Sequence, residues 1–294
     1  MVIVILGPTG IGKTKMGVQL AKLLDGEIIN ADSTQVYKNL DIATAKIKES
    51  EKQNIPHHLF DIRDINENYT VYDYQKDCRK KIAEILSRHK TPILVGGTGL
   101  YIKAALYDYK FEEENNNDQF ENLTNEEIYD RLKKIDSDIT IHKNNRKRLV
   151  RALNYCLNNN CKISSKEKTN ELLYDTVFIG LTTDRDILYE RINQRVDAMF
   201  QEGLLDEAKT IFDLGIRTKA VMTPIGYKEL FPYFTNDATL EECCDLIKRN
   251  SRKYAKRQYT WFNNQMKVVW FNVNFEDFSK TINEVYDYIK NVNN

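Results

Sequence analysis

The sequence has few cysteines, and they stand in no pattern that binds zinc or builds a disulfide framework. The five are Cys78, Cys156, Cys161, Cys243 and Cys244, an odd number without any C-x-x-C pair. Cysteines of this number and spacing indicate reduced thiols and argue against a structural zinc site. We therefore expect the protein to work in a reducing compartment, the cytoplasm.

Long hydrophobic runs and an excess of one charge are also missing. The apolar run at the amino end covers only residues 1–6 and has neither a basic leader nor a cleavage signature. It therefore predicts no signal peptide and no membrane partner. Lys and Arg together number 43, as do Asp and Glu, so the chain as a whole has no attraction for a polyanion. Local clusters of charge must decide which partners it binds.

A glycine-rich motif, GPTGIGKT, follows this apolar run directly. Its spacing is the P-loop pattern, and its context fits, because a strand-like run precedes it and Met16, Leu20 and Leu23 recur at helical spacing behind it. Such a loop binds a di- or triphosphate through backbone N–H groups, the Lys13 charge and Mg²⁺ on the Thr14 hydroxyl. A chance match in a turn is the alternative. The predicted phosphate-binding residues are Gly7, Pro8, Thr9, Gly10, Ile11, Gly12, Lys13 and Thr14.

Strand-like and helix-like segments alternate along the 294 residues. Strands are predicted at 2–6, 27–31, 57–62, 92–95, 176–181 and 267–273, and helices at 70–89, 185–214 and 240–262. This order predicts an α/β fold, a P-loop NTPase-like parallel sheet flanked by helices. An acidic, asparagine-rich stretch leads into a region with helical patterns and no strand runs. We therefore predict a catalytic core of residues 1–111 and 174–294 and a helical insertion domain of residues 112–173.

Two polar segments follow predicted strands, where ligands bind in such sheets. Asp32 begins the segment Asp32-Ser33-Thr34-Gln35, and a carboxylate there can hold Mg²⁺ through water or accept a proton from a nucleophile. The alternative is an Asp that caps the next helix. Gly96-Gly97-Thr98-Gly99 is a second glycine-rich turn, which either grips the far end of a diphosphate or is only a tight turn.

Two adjacent histidines, His57 and His58, raise the possibility of a metal site. Adjacent side chains on a strand point to opposite faces, and the sequence has no further cluster of ligands. A structural role is the favoured interpretation.

One predicted helix is strongly basic. Residues 246–262, LIKRNSRKYAKRQYTWF, contain no acidic residue. Spacing by four puts the cations in two rows that cover roughly half of the helix. The rows are Lys248, Arg252 and Lys256, and Arg249, Lys253 and Arg257. A second cluster in the insertion contains Lys143, Arg146, Lys147, Arg148 and Arg151. Either cluster alone is typical of a solvated face, but both together with a phosphate site favour nucleic-acid binding.

Seven motifs in order resemble the tRNA dimethylallyltransferase family. They are GPTGIGKT, ADSTQVY with DIATAK, IPHHLFDI, PILVGGTGLY, RKRLVRAL, IGYKE and AKRQYTWF, and they run from residue 3 to about residue 262. The resemblance implies transfer of a dimethylallyl group from dimethylallyl diphosphate to N6 of the adenosine on the 3′ side of the tRNA anticodon. It implies Mg²⁺ as cofactor and the tRNA anticodon arm as partner. We expect a monomer.

The resemblance also implies roles for individual residues. Asp32 would be the base that accepts the amine proton, and Thr98 would donate a hydrogen bond to the diphosphate. The target base would be flipped out of its stack and contacted by Asp32, Ser33, Thr34 and Gln35. The tRNA would be held by Lys147, Arg148, Arg151, Lys248, Arg249, Arg252, Lys253, Lys256 and Arg257.

Two other functions share some of these features. A small-molecule or nucleoside kinase with a helical lid would also have the P-loop, an Asp and lid arginines. A non-catalytic RNA-binding P-loop protein would need only the basic helix. Consumption of dimethylallyl diphosphate, of ATP, or of neither distinguishes the three.

Overall fold

A six-stranded parallel sheet forms the centre of the computed structural model, which describes residues 1–111, 120–165 and 171–293. The strands are β1 (Val2–Leu6), β2 (Gly26–Asn30), β3 (His57–His58), β4 (Thr91–Val95), β5 (Thr176–Thr182) and β6 (Val269–Asn272). They lie in the order β3-β2-β4-β1-β5-β6, and every neighbouring pair is parallel. The predicted α/β fold with a parallel sheet is confirmed.

Helices connect these strands. In the described part of the chain they are α1 (Lys13–Leu23), α2 (Glu49–Lys52), α3 (Val71–Ser87), α4 (Gly99–Leu106), α5 (Asn125–Ile135), α6 (Arg146–Asn159), α7 (Arg185–Gln201), α8 (Leu204–Asp213), α9 (Lys219–Met222), α10 (Tyr227–Phe234), α11 (Leu240–Gln265) and α12 (Phe278–Asn293). None of these helices has the length and apolar character needed to cross a membrane.

Strand β1 shows why both faces of the sheet are covered. Its sequence is apolar throughout, and all its residues are buried. Val4 packs into a cluster with residues of α3 and α4, whereas Ile3 packs into another with residues of α1 and α12. Successive side chains of a strand point to opposite faces, so a strand without polar residues needs an apolar layer on each side.

Two predicted elements are wrong in extent. The strand expected at 57–62 ends after two residues, because Leu59 and Asp61 have φ angles of 64° and 54°, which a strand does not allow. The single helix expected at 185–214 is two helices, because the chain turns at Gly203, where φ is 102°. Helices α2, α9, α10 and α12 were not predicted at all.

The adjacent histidines are part of the sheet edge. His58 Nε2 lies 2.7 Å from Oε2 of the buried Glu27 on β2, and Arg88 donates to the same oxygen over 2.7 Å. Burial alone would raise the pKa of Glu27, but the hydrogen bonds from His58 and Arg88 hold that pKa below its usual value. No group of three His, Cys, Asp or Glu that could hold a metal occurs among the described residues.

The chain divides into two compact units. The larger contains residues 1–107 and 172–294, and the smaller contains residues 108–171. Helices α5 and α6 of the smaller unit enclose a core of their own, which includes Ile128, Leu132 and Leu149. The expected start of an insertion at residue 112 lies outside the described residues, and the boundaries of the insertion domain stay a prediction.

The carboxyl ends of β2 and β4 approach so closely that only glycine fits between them. Gly96 N donates to Ile5 O over 3.2 Å, and Thr98 N donates to Ala31 O over 3.1 Å. A Cβ atom on Gly96 would lie 2.2 Å from both C and O of Ala31. These are backbone atoms, which cannot rotate away as a side chain would. The contact therefore fixes the positions of the loops that follow the two strands.

We expect Gly96→Ala to lower the free energy of unfolding by about 3 kcal/mol or more, because the added methyl group displaces backbone. Urea unfolding followed by circular dichroism measures this loss. Gly215→Ala is the control: its new Cβ has no atom within 4 Å, and its φ of 67° alone should cost only about 1–2 kcal/mol. Equal losses in the two variants would contradict a rigid approach at Gly96.

Candidate active site

A cavity of about 900 Å³ opens where three strands of the larger unit end. Its walls include the P-loop after β1, residues 32–35 after β2, and Gly96 after β4. Further walls come from residues 41–48, from α7 and from α11. The carboxyl ends of parallel strands are the usual ligand-binding edge of an open α/β sheet.

The P-loop contributes a concave anion site to this cavity. The loop residues that line it are Thr9, Gly10, Gly12, Lys13 and Thr14. Gly10 and Gly12 have φ angles of 82° and 100°, a curvature that glycine accepts without strain. Ile11 is fully buried and anchors the loop in the core. The loop ends at the first turn of α1, where backbone N–H groups have no partner within the helix and favour an anion. Gly7 and Pro8, the other predicted members of the loop, are buried and do not line the cavity.

Lys13 is the cation of the loop, and its charge is only marginally stable without a ligand. Its Nζ donates to the carbonyl oxygen of Pro8 over 2.8 Å. Burial is the largest cause and the charge of Arg195 the next in lowering the pKa of Lys13 from 10.5 to about 7, and the charge of Asp32 opposes both. An anion in the cavity favours the protonated amine and so binds Lys13 as a full cation.

Two arginines of α7 extend the cationic wall, and sequence reasoning missed them. Arg195 donates to Thr9 Oγ1 over 3.1 Å, and Arg191 donates to Gly10 O over 3.4 Å. Burial lowers the pKa of Arg195, while the charges of Asp32 and Glu202 counteract it. The spacing by four was visible in the sequence. However, α7 carries charges of both signs throughout, which is typical of a solvated helix.

Asp32 is held rigidly with one carboxylate oxygen available. Its Oδ1 accepts hydrogen bonds from Thr34 N at 2.9 Å and from Thr34 Oγ1 at 2.7 Å. The buried Asn30 fixes the backbone, since it accepts from Asp32 N over 2.9 Å and donates to Asp32 O over 3.0 Å. Oδ2 has no hydrogen-bond partner within the part of the chain that the structure describes. The alternative of a helix cap is wrong, because turns follow Asp32 and α2 begins only at Glu49.

Gln258 of α11 joins the two glycine-rich turns. Its Oε1 accepts from Thr9 N over 2.9 Å, and its Nε2 donates to Gly97 O over 3.1 Å. The Thr98 hydroxyl points elsewhere: it accepts from Ser33 N over 3.0 Å and does not line the 900 Å³ cavity. Of this turn, only Gly96 lines that cavity. A hydrogen bond from Thr98 to a diphosphate stays a prediction.

Gln35 is oriented by the neighbouring loop. Its side-chain amide donates to Thr44 O over 2.9 Å and to Ala45 O over 3.2 Å, which leaves its Oε1 without a partner among the described residues. That loop is held in turn by Glu207 of α8, another residue that sequence reasoning missed. The Glu207 carboxylate accepts hydrogen bonds from the backbone N–H groups of Asp41, Ile42 and Ala43.

Helix α11 presents one face to the cavity and other faces to its surroundings. The lining residues recur at helical spacing: Ile247, Asn250, Ser251, Tyr254, Arg257 and Gln258. Arg249, Lys253 and Lys256 are exposed and fall on the side of the helix turned away from the cavity. Lys248 and Arg252 bind α7 instead, through Asp197 and Asn193, each over 2.6 Å. The predicted six-residue stripe is therefore divided.

The basic residues of the smaller unit also differ among themselves. Arg146 donates to the backbone oxygens of Leu123 and Phe120, each over 2.7 Å, so its role is structural. Lys143 forms an ion pair with Glu126 at 2.8 Å. The exposed cations of α6 that were predicted to bind RNA are Lys147, Arg148 and Arg151.

The sequence and the fold are shared with enzymes of known activity. The sequence model of the family described as IPP transferase matches residues 35–265. The chain is 47% identical over 298 residues to a tRNA dimethylallyltransferase of Anoxybacillus flavithermus, covering 98% of this chain and 96% of that one. The chain belongs to the IPP transferase family. The resemblance predicted from the motifs is confirmed.

Solved structures place this IPP transferase family member among enzymes that modify tRNA. A tRNA delta(2)-isopentenylpyrophosphate transferase from Staphylococcus epidermidis is similar with a TM-score of 0.75 and 39% identity, covering 99% of this chain and 98% of that one. A eukaryotic dimethylallyltransferase acting on tRNA is similar with a TM-score of 0.85 and 30% identity, covering 99% of this chain and 79% of that one.

The pKa of Lys13 predicts how stability depends on pH. Between about pH 7 and 10.5 the folded protein holds Lys13 neutral while the unfolded chain protonates it, so unfolding takes up a proton. The free energy of unfolding should therefore rise with pH across this window, relative to Lys13→Met, by at most about 1.4 kcal/mol per pH unit. Urea unfolding of both proteins at several pH values measures the difference. Parallel pH profiles would contradict the low pKa.

Proposed function

We propose that this protein transfers a dimethylallyl group from dimethylallyl diphosphate to N6 of the adenosine 3′ to the anticodon of tRNA. In this reaction the amine nitrogen attacks C1 of the donor, the bond from C1 to the diphosphate oxygen breaks, and one amine proton leaves. The observation that carries the proposal is the position of Asp32 and the P-loop on one cavity, in a chain of the IPP transferase family. One wall supplies a base and another supplies an anion site.

The leaving group is held by the cationic wall. Lys13, Arg191 and Arg195 surround the P-loop, and the loop amides add neutral donors. Charge grows on the diphosphate as the C–O bond breaks, so fixed cations stabilise the transition state more than the bound donor. The three side chains are already in position before the donor binds, which spares the cost of moving them during the reaction, and Lys13 becomes a full cation when the anion binds.

Asp32 accepts the amine proton. Its Oδ2 is available, and its Oδ1 is fixed by Thr34. The same carboxylate counteracts the desolvation of Lys13 and Arg195. Its negative charge therefore lies close enough to the anion site to face an adenine that is bound against the donor. Ser33 and Gln35 flank it, and the unpartnered Oε1 of Gln35 is an acceptor for the flipped base.

Mg²⁺ suits this site as a partner of the diphosphate. The Thr14 hydroxyl lines the cavity, and no carboxylate cage that would hold a metal by itself occurs in the described chain. Mg²⁺ usually keeps several waters and binds through one or two protein ligands plus substrate phosphates, which matches this donor set. Bound there, it would supply positive charge to the leaving group.

Exposed cations hold the tRNA. On α11 these are Arg249, Lys253, Lys256 and Arg257, and Arg257 also lines the cavity. Lys147, Arg148 and Arg151 of the smaller unit are the second group. We propose a monomer that works in the cytoplasm, in keeping with five cysteines that are all free thiols.

The decisive experiment incubates the protein with tRNA, Mg²⁺ and either dimethylallyl diphosphate or ATP. Mass spectrometry should show one added dimethylallyl group per tRNA molecule. Diphosphate should be released and ATP should remain unchanged. Asp32→Asn should slow transfer by about 10² to 10⁴ with little loss of donor binding, because only the base is removed. Asp186→Asn, at an exposed position of α7, is the matched control. Hydrolysis of ATP without tRNA modification would support a kinase instead.

The division of the basic helix predicts two different salt dependences. Replacing Arg249, Lys253 and Lys256 by Gln should weaken tRNA binding and lower the slope of log affinity against log salt by roughly 0.7 to 0.9 per lost phosphate contact. Replacing Lys248 and Arg252 should lower stability through lost contacts to α7 and leave the slope near that of the parent. An unchanged slope in the folded triple variant would mean that Arg249, Lys253 and Lys256 form an ordinary solvated face.

A further inference from the structure

One short turn of the larger unit, residues 41–46, forms part of the wall of the 900 Å³ cavity. Lys46 N donates to Asp41 O, and Ala45 N donates to Ile42 O, each over 2.9 Å. These are the paired hydrogen bonds of a Schellman turn, and Ala45 takes its left-handed position with a φ of 47°. Glycine is the usual residue there, because a Cβ atom makes this conformation unfavourable. A turn strained in this way keeps its shape only when its surroundings hold it.

Glu207 of α8 holds the amino end of the turn from outside the cavity. Its Oε2 accepts from Asp41 N over 3.0 Å and from Ile42 N over 2.9 Å, and its Oε1 accepts from Ala43 N over 3.1 Å. A carboxylate suits these amides, because the amino end of a helical turn is its positive end. The Tyr227 hydroxyl of α10 donates to the same carboxylate over 2.8 Å. Glu207 itself does not line the cavity.

Gln35 holds the carboxyl end of the turn from inside the cavity. Its amide nitrogen donates to Thr44 O over 2.9 Å and to Ala45 O over 3.2 Å. Both amide protons are therefore used on the turn, which fixes which end of the Gln35 amide is its acceptor. Lys46 ties this end of the turn to Asp61 over 2.6 Å, and the Lys46 side chain is only 6% exposed.

We propose that Glu207 is a positioning residue of the transfer reaction, which acts through the turn of residues 41–46 on Gln35. The inference rests on the proposed function, in which Oε1 of Gln35 accepts from the flipped adenine. Glu207 touches neither reactant. It fixes the amides at one end of the turn, the turn fixes the two carbonyl oxygens at its other end, and these orient the Gln35 amide. Hydrogen bonds connected in this way also polarise and strengthen one another.

The test is a double-mutant cycle of Glu207→Gln and Gln35→Ala. Glutamine has the size of glutamate, but it offers an NH₂ group where the turn presents N–H groups, so the turn should shift. We expect Glu207→Gln to lower kcat/KM for tRNA by roughly 10- to 100-fold, the usual effect of a small misplacement in an active site. KM for dimethylallyl diphosphate should stay near that of the parent, because the P-loop is held by other contacts.

The second background separates positioning from mere loss of structure. In Gln35→Ala the turn has no side chain to orient, so adding Glu207→Gln should lower kcat/KM by less than about twofold further. Equal losses from Glu207→Gln in the parent and in Gln35→Ala would overturn the proposal, as would a kcat/KM of Glu207→Gln equal to that of the parent.

Two further variants complete the design. Asp206→Asn removes the neighbouring acid of α8, which is exposed, and should match the parent. Tyr227→Phe keeps the buried ring and removes only the hydroxyl that donates to Glu207. It should give a smaller loss that also disappears in Gln35→Ala, and it replaces Glu207→Gln in the cycle if that variant does not fold.

Failure of the proposed function would be visible separately, as a parent protein that transfers no dimethylallyl group to tRNA. Hydrogen exchange of peptides that contain residues 41–46, followed by mass spectrometry, then tests the contact with Glu207 by itself. Exchange should be faster in Glu207→Gln than in the parent and unchanged in Asp206→Asn. Equal exchange in all three proteins would overturn the inference that Glu207 fixes the turn.

Discussion

The side-chain amide of Gln258 connects the parts of the candidate site that no single element could align. It is buried, accepts from the P-loop at Thr9 and donates to the turn at Gly97, so it uses both ends of one amide. A Cβ atom on Gly97 would lie 2.1 Å from its Nε2, which explains a glycine there without any role in ligand binding. Because Gln258 belongs to α11, the same helix that carries the exposed cations also connects the P-loop to the second glycine-rich turn.

The electrostatics of the cavity are arranged for a ligand that is itself highly charged. Two partly buried cations, Lys13 and Arg195, lie near one carboxylate, and desolvation disfavours the charge on both. A protein gains nothing in stability from such an arrangement. Its advantage is preorganisation, since the side chains and dipoles that stabilise a highly charged ligand are fixed in position beforehand.

The sequence allowed the sheet, the P-loop and the Asp32 segment to be predicted because each depends on local order: an apolar strand followed by a turn of characteristic residues. It did not reveal Arg195, Glu207 or Gln258, whose partners lie far away along the chain, 249 residues in the case of Gln258 and Thr9. The basic helix illustrates both outcomes. Its charge was evident, but only packing against α7 separates Lys248 and Arg252 from the exposed cations.

The chain leaves the larger unit and returns to it at one place. Tyr107 and Leu172 form an antiparallel bridge, and Leu173 N donates to Leu106 O over 2.9 Å. The two crossing points are therefore neighbours, so a segment of almost any length can be inserted here at little cost in loop-closure entropy. This bridge is a natural exchange point, where evolution or an engineer can replace one module by another and leave every strand of the sheet uncut.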